Sequence, residues 1–225
     1  MMNKLPRWVE YGAFLLTFVA GTVNAIGVLG FKHQAISHLS GTATLLATQL
    51  GAFRFGEAGH LVAVLLCFVA GAAFSGFVLS GFALSGQSLR LGKRYDLLLF
   101  TEAGLLIVAI YGFNHGFWLG HYAASAACGL QNALATTYSG AIVRTTHVTG
   151  IFTDLGIMLG AKLRGETFDK RKAILFLLII SGFIVGGVFG ALAFNHIQFW
   201  TLVAPAVLCV LLALVYRVYR LRAGV

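Results

Sequence analysis

Six stretches of this chain are apolar for about as long as a bilayer core requires, and that constrains its fold more than any other feature. They cover residues 8–29, 61–84, 97–113, 117–138, 173–194 and 199–216. At ~1.5 Å per residue, about 20 helical residues cross a hydrocarbon core of ~30 Å. The runs are continuously apolar rather than alternating, so helices and not barrel strands are the expected spanning form. Composition excludes an ordinary soluble domain: 59% of the residues are hydrophobic and 10% charged, against about 25% charged in soluble domains. The expected fold class is all-α, a polytopic membrane helix bundle whose first partner is the lipid bilayer.

The formal net charge of +9 does not point to nucleic acid, because the basic residues sit in short loops and near the ends rather than along one helix face. Cys67, Cys128 and Cys209 lie inside apolar runs with no paired metal-ligand spacing and read as buried free thiols. No metal or cofactor is expected. Lys4 and Arg7 before the first run resemble the start of a signal peptide, but Glu10 and the length of the run mark a retained first helix.

The chain also repeats itself. A shift of about 109 residues brings Gly21, Asn24 and Ala25 onto Gly129, Asn132 and Ala133. After one inserted residue, His38, Gly41, Thr44, Leu50, Gly51 and Glu57 meet His147, Gly150, Thr153, Leu159, Gly160 and Glu166. Two further inserted residues bring Gly71 and Gly76 onto Gly182 and Gly187. Matches at Asn, His, Thr and Glu are not what apolar low complexity produces, so the chain divides into homologous halves, 1–113 and 114–225, forming one membrane domain.

Each half carries a shorter, more polar segment, 37–53 and 146–161, and the topology turns on whether these cross. Eight spans from a cytoplasmic start place 11 of the 16 Lys and Arg inside and 5 outside. If the short segments enter and leave on one side, six spans remain and the division is 14 to 2, with Lys32 and Arg54 outside, as the positive-inside rule favours. The expectation is therefore an inverted repeat of six spans plus two re-entrant or broken helices, with eight spans as the alternative. Both termini then face the cytoplasm. Inverted repeats with interrupted helices at the midplane are a recurring plan for transporters.

Candidate functional residues cluster in the short segments. His38-Leu39-Ser40-Gly41 and His147-Val148-Thr149-Gly150, followed by Thr44 and Thr153, place a hydroxyl residue where a helix starts at membrane depth. Ser40 or Thr149 would then cap free N–H groups, and the helix terminus would face an anion or polar solute. The alternative is close helix packing at the glycines. Asp154 lies seven residues beyond His147 on the same face, opposite Leu45 of the first half. An intramembrane acid is a functional hypothesis by default, with pairing to Arg144 or His147 as the structural alternative. Glu102 is a second such acid, the structural alternative being that a location near the cytoplasmic interface lets it snorkel toward Arg94. Asn24 and Asn132 either satisfy broken backbone or bond each other across the repeat. No nucleophile, hydrolytic spacing or phosphate loop is present, so an enzyme is not expected.

The pieces Gly21-Thr-Val-Asn24-Ala-Ile-Gly27, His38-Leu-Ser-Gly41-Thr, Gly129-Leu-Gln-Asn132-Ala and Thr146-His-Val-Thr-Gly150 together resemble the YoaK-like family of uncharacterised bacterial membrane proteins. The first motif usually carries Asp in that family where this chain has Asn24, and the second usually reads Met-Thr-Gly-Asn where this chain has Leu39-Ser40-Gly41-Thr42. The resemblance implies a bacterial inner membrane and about six spans, and it supplies no substrate. The functional expectation is a small-solute or ion transporter or channel, with proton coupling at Asp154 as one option and a homo-oligomer as another. The second expectation is a non-transporting scaffold or lipid-binding module.

Overall fold

The computed structural model describes residues 8–30, 34–83, 94–139 and 143–222. Lys4, Arg7, Lys32, Arg90 and Lys93, which the charge argument uses, lie outside the described residues. The apolar runs become α1 (Trp8–Leu29), α3 (Phe55–Ala83), α4 (Tyr95–Asn114), α5 (Leu119–Tyr138), α7 (Lys170–Ile197) and α8 (Val203–Arg222). The short segments become α2 (Leu39–Gly51) and α6 (Val148–Leu163). A 3-10 turn, Gln198–Leu202, separates α7 from α8. There Gln198 takes a left-handed backbone with φ 50°, and Phe199 folds back on Phe194 at 5.3 Å between ring centres.

Among the described residues, four stretches are long and apolar enough to cross a membrane: Glu10–Leu29, Phe55–Leu79, Tyr95–Asn114 and the continuous stretch Lys170–Arg222. The chain is a multi-pass membrane protein. Large side chains such as Phe77, Leu66, Ile184 and Leu192 are exposed on the outside of the bundle. In water such a surface invites aggregation, whereas in a bilayer it meets a solvent of its own kind. α5 is not among the four stretches because it carries His121, Ser125, Gln131, Asn132 and several threonines. It is buried on nearly every side, so neighbouring helices rather than lipid set its composition.

Contacts fix the helix directions. At one end of the bundle lie the start of α1, where Glu10 pairs with Arg171 at 3.0 Å, and the start of α4, where Asp96 pairs with Arg220 of α8 at 3.4 Å. This basic end also holds Arg94, Lys170, Lys172 and Arg222. At the other, aromatic end, Phe113 of α4 stacks on Phe199 at 4.9 Å, and His60 of α3 packs on Trp118 at 3.5 Å between ring centres. α1, α4 and α7 therefore run from the basic end to the aromatic end, and α3, α5 and α8 run back.

Two close helix crossings tie the bundle together, α1 with α7 and α3 with α5. A Cβ placed on Gly129 of α5 would strike the Phe68 carbonyl of α3, and one on Gly71 of α3 would strike the Ala126 carbonyl of α5. In the other pair, a Cβ on Gly21 of α1 would strike the Phe183 carbonyl of α7, and one on Gly186 would strike the Phe18 carbonyl. The crossings correspond residue for residue: an offset of 108 takes Phe18 and Gly21 to Ala126 and Gly129, and an offset of 115 takes Phe68 and Gly71 to Phe183 and Gly186. Packing thus sets Gly71 against the role of Gly186, one helical turn later than the Gly182 that sequence matching selects. Glycines at 182, 186, 187 and 190 make a one-turn slip easy to miss, because spacings of three and four return to the same helix face.

The crossings also make a prediction. Gly129→Ala and Gly186→Ala each put a methyl into a facing carbonyl and should cost about 1–3 kcal/mol through overpacking. Gly104→Ala meets open space and should leave stability unchanged or slightly higher through helix propensity. Thermal unfolding in mild detergent, followed by size-exclusion chromatography, separates the two outcomes.

Candidate functional site

The two short helices begin differently from the capped starts that the hydroxyl residues suggest. His38 and His147 occupy the N-cap positions, and neither makes a side-chain cap. Ser40 and Thr149 lie inside the first turn and do not serve as caps, which corrects that expectation. The two His-x-(Ser/Thr)-Gly motifs also differ from each other. His147 lies over Gly150, where any Cβ would strike its ring, while Gly41 faces open space. His38 instead sets its ring edge-on to Phe183 of α7, 5.5 Å between centres. Phe183 belongs to the α1–α7 crossing, so α2 begins near mid-depth of that helix. On α6, Ile151 joins a buried cluster with Leu175, Phe176, Ile179 and Ile180 of the same α7.

Most candidate side chains point out of the bundle. Ser40, Gly41, Thr44, Arg144, His147, Thr149, Thr153 and Asp154 are exposed, and Gly150 is half-buried. The Thr44 and Thr153 hydroxyls donate to the carbonyls of Ser40 and Thr149, four residues back on their own helices, at 2.9 and 3.1 Å. Asp154 forms no ion pair with Arg144 or His147; ion pairs among the described residues include Arg171–Glu10 and Arg220–Asp96. Asn24 accepts from the Ser37 N–H at 3.2 Å and the Ser37 hydroxyl at 3.0 Å, and so ties the link after α1 back onto α1. Asn132 has no equivalent bond, and its buried Oδ1 lacks a partner among the described residues.

Glu102 is enclosed by the bundle. It is 1% exposed, between α4, α5 and α8, with Cys209 hydrogen-bonded to its carboxyl group and Cys128 nearby. Its Oε2 has no partner among the described residues. This is not the arrangement of the alternative in which it snorkels toward Arg94.

The structure adds a polar column that the sequence reading passed over. At the aromatic end His60 Nε2 lies 3.3 Å from Gln34 Oε1 and Nδ1 3.2 Å from the Tyr122 hydroxyl. With the amide oxygen accepting, Nε2 carries the proton and Nδ1 accepts from Tyr122. One turn further along α5, the Ser125 hydroxyl donates to the Val64 carbonyl at 2.9 Å. Cys128 and Asn132 continue the same face. The spacing of His121, Ser125, Cys128 and Asn132 by four, three and four is the signal that marks this face as one line. Among the described residues no group of three His, Cys, Asp or Glu is placed to hold a metal ion.

The two asparagines give a direct comparison. Asn24→Leu strands two donors and should destabilise the protein by about 2 kcal/mol. Asn132→Leu removes an oxygen that has no partner among the described residues and should change the unfolding temperature little. Similar losses in detergent unfolding at both positions would contradict the assigned bonding.

No curated protein and no solved structure matches the chain. Residues 12–215 match a family described as "Protein of unknown function (DUF1275)". That match covers all eight helices except the first turn of α1 and the last turns of α8, and the chain belongs to the DUF1275 family.

Proposed function

We propose that this protein is a transporter or channel for a small polar solute or ion. In this reading two three-span units lie in opposite orientation in a bacterial inner membrane, with the basic end in the cytoplasm. Its strongest support is directional: α1 ends and α3 begins at the aromatic end, where Gln34 after α1 bonds His60 of α3. The segment holding α2 then enters and leaves on one side. α5 ends and α7 begins at the basic end, where Val143 clusters with Ala13 and Phe176, so α6 does the same from the opposite side. α1, α3 and α4 are thereby matched by α5, α7 and α8 with all directions reversed, and α5 counts as a span although its composition is mixed. With the basic end inside, Arg54 is the one described Lys or Arg on the outer side, in keeping with the positive-inside rule.

The solute path in this reading runs past the first turns of α2 and α6. Their uncapped N–H groups and partial positive charge suit an anion or a polar solute. His38 and His147 stand at the entrance to each turn, with Asp154 two turns along from His147. A carboxylate facing lipid at depth costs ~2.5–3.5 kcal/mol on insertion scales. The exposed Asp154 is therefore assigned to a surface wetted by the path or covered by a second copy of the chain. The alternative, a non-transporting module, draws on one observation: the Thr44 and Thr153 hydroxyls are already satisfied by their own helices and need no solute.

Thiol labelling separates the two readings without knowledge of the solute. In a background lacking Cys67, Cys128 and Cys209, Ser40→Cys and Thr149→Cys should react with a charged, membrane-impermeant methanethiosulfonate at a rate within about tenfold of a loop cysteine. Asp154→Asn should leave folding intact and abolish flux, or its pH dependence, once a permeant solute is found. Reaction of both cysteines with a lipid-soluble maleimide only would favour the packing module.

A further inference from the structure

A cavity of about 390 Å³ opens at the basic end between α1 and α8, floored by α4 and α5. Its walls are Ala13 and Leu16 of α1, Leu99 of α4, Leu134 of α5, and Leu212 and Val215 of α8. The volume is within the ~300–1,000 Å³ range of small-molecule sites, but the wall is apolar and, among the described residues, offers no convergent polar groups. Val215, Tyr11 and Tyr219 line it and are all more than half exposed, so the cavity opens sideways through the bundle surface rather than into its axis.

Its position follows from how the helices are joined. α4 and α5 are linked by four residues and close on each other so tightly that a Cβ on Gly112 would strike the backbone of Gly120. α8 and α1 have no such link, and the cavity fills the space between them. The opening is rimmed by the tyrosines Tyr11, Tyr95, Tyr216 and Tyr219, a side chain that favours the membrane interface. Along α8 the residues 212, 215, 216 and 219 face the cavity, and the next position on that flank is the exposed Arg222.

We infer that this groove holds one acyl chain of an anionic membrane phospholipid, with its headgroup at Arg222. An apolar slot opening onto lipid, a tyrosine rim and a cation at its mouth are complementary to the three parts of such a molecule. The Arg220–Asp96 pair beside it holds the outer ends of α8 and α4 together, and Arg222 is the exposed cation that continues the cavity-facing flank of α8 among the described residues.

The test reconstitutes the full chain in vesicles doped with phosphatidylglycerol or phosphatidylcholine, each carrying a diazirine-labelled acyl chain, and maps the adducts by mass spectrometry. Phosphatidylglycerol should label α1 residues 11–16 and α8 residues 212–219 in preference to phosphatidylcholine. Arg222→Gln should lower that preference about fivefold, and as a surface change it leaves folding intact. Leu212→Trp, checked for monodispersity, should abolish labelling by filling the slot. Equal labelling by both lipids, or adducts spread evenly over the lipid-facing helices, would overturn the proposal. So would disulfide dimers of Tyr11→Cys that suppress labelling, since they would make a second copy the occupant.

Discussion

The bundle depends on two places where helix backbones touch with nothing between them. Gly21 and Gly186 join α1 to α7, and Gly71 and Gly129 join α3 to α5. In lipid there is no hydrophobic force pressing helices together, so association relies on close packing and on weak contacts that only glycine permits. These crossings join helices far apart in the chain, α1 to α7 and α3 to α5. The Thr22 hydroxyl strengthens this seam by donating to the Gly186 carbonyl at 3.0 Å, where the glycine lets the two chains come that near.

Around these seams α5 forms the axis, and its chemistry follows from that place. Shielded from lipid, it carries the polar face that runs from the His60–Tyr122 contact past Ser125 to Cys128 and Asn132. Beside it Glu102 is enclosed, with one oxygen lacking a partner among the described residues. An ionised carboxylate in such a place, with no cation paired to it, is costly to bury. The lipid-facing helices α3 and α7 carry the large exposed apolar side chains instead.

Apolar run length located the helices that face lipid, because lipid contact leaves a direct mark on sequence. It also located α5, although what surrounds that helix depends on tertiary packing that no run length encodes. Repetition of Asn, His, Thr and Glu is the basis for expecting two halves, and the packing matches Gly71 with Gly186 rather than with Gly182. α6 and the link to α7 are longer than their first-half counterparts, and glycines four apart satisfy either register. The candidate residues of α2 and α6 were legible as types and not as directions. Whether Ser40 or Asp154 faces inward depends on which side of α2 and α6 meets α3 and α7, and that side is set by Thr42 and Ile151. Glu102 was placed by its distance from Arg94 along the chain, whereas its surroundings come from Cys128 and Cys209, residues distant in sequence. His60 was passed over because its partners Gln34 and Tyr122 come from two other segments.

The account rests on the two halves pointing in opposite directions, and sidedness of the loops tests this most directly. Single cysteines at Ala52, Gly116 and Gly165 are to be probed in intact cells and in inverted vesicles with an impermeant maleimide. The account predicts that Ala52 and Gly116 react from outside and Gly165 from the cytoplasm. Reaction of all three from the cytoplasm, as eight full crossings require, would contradict it.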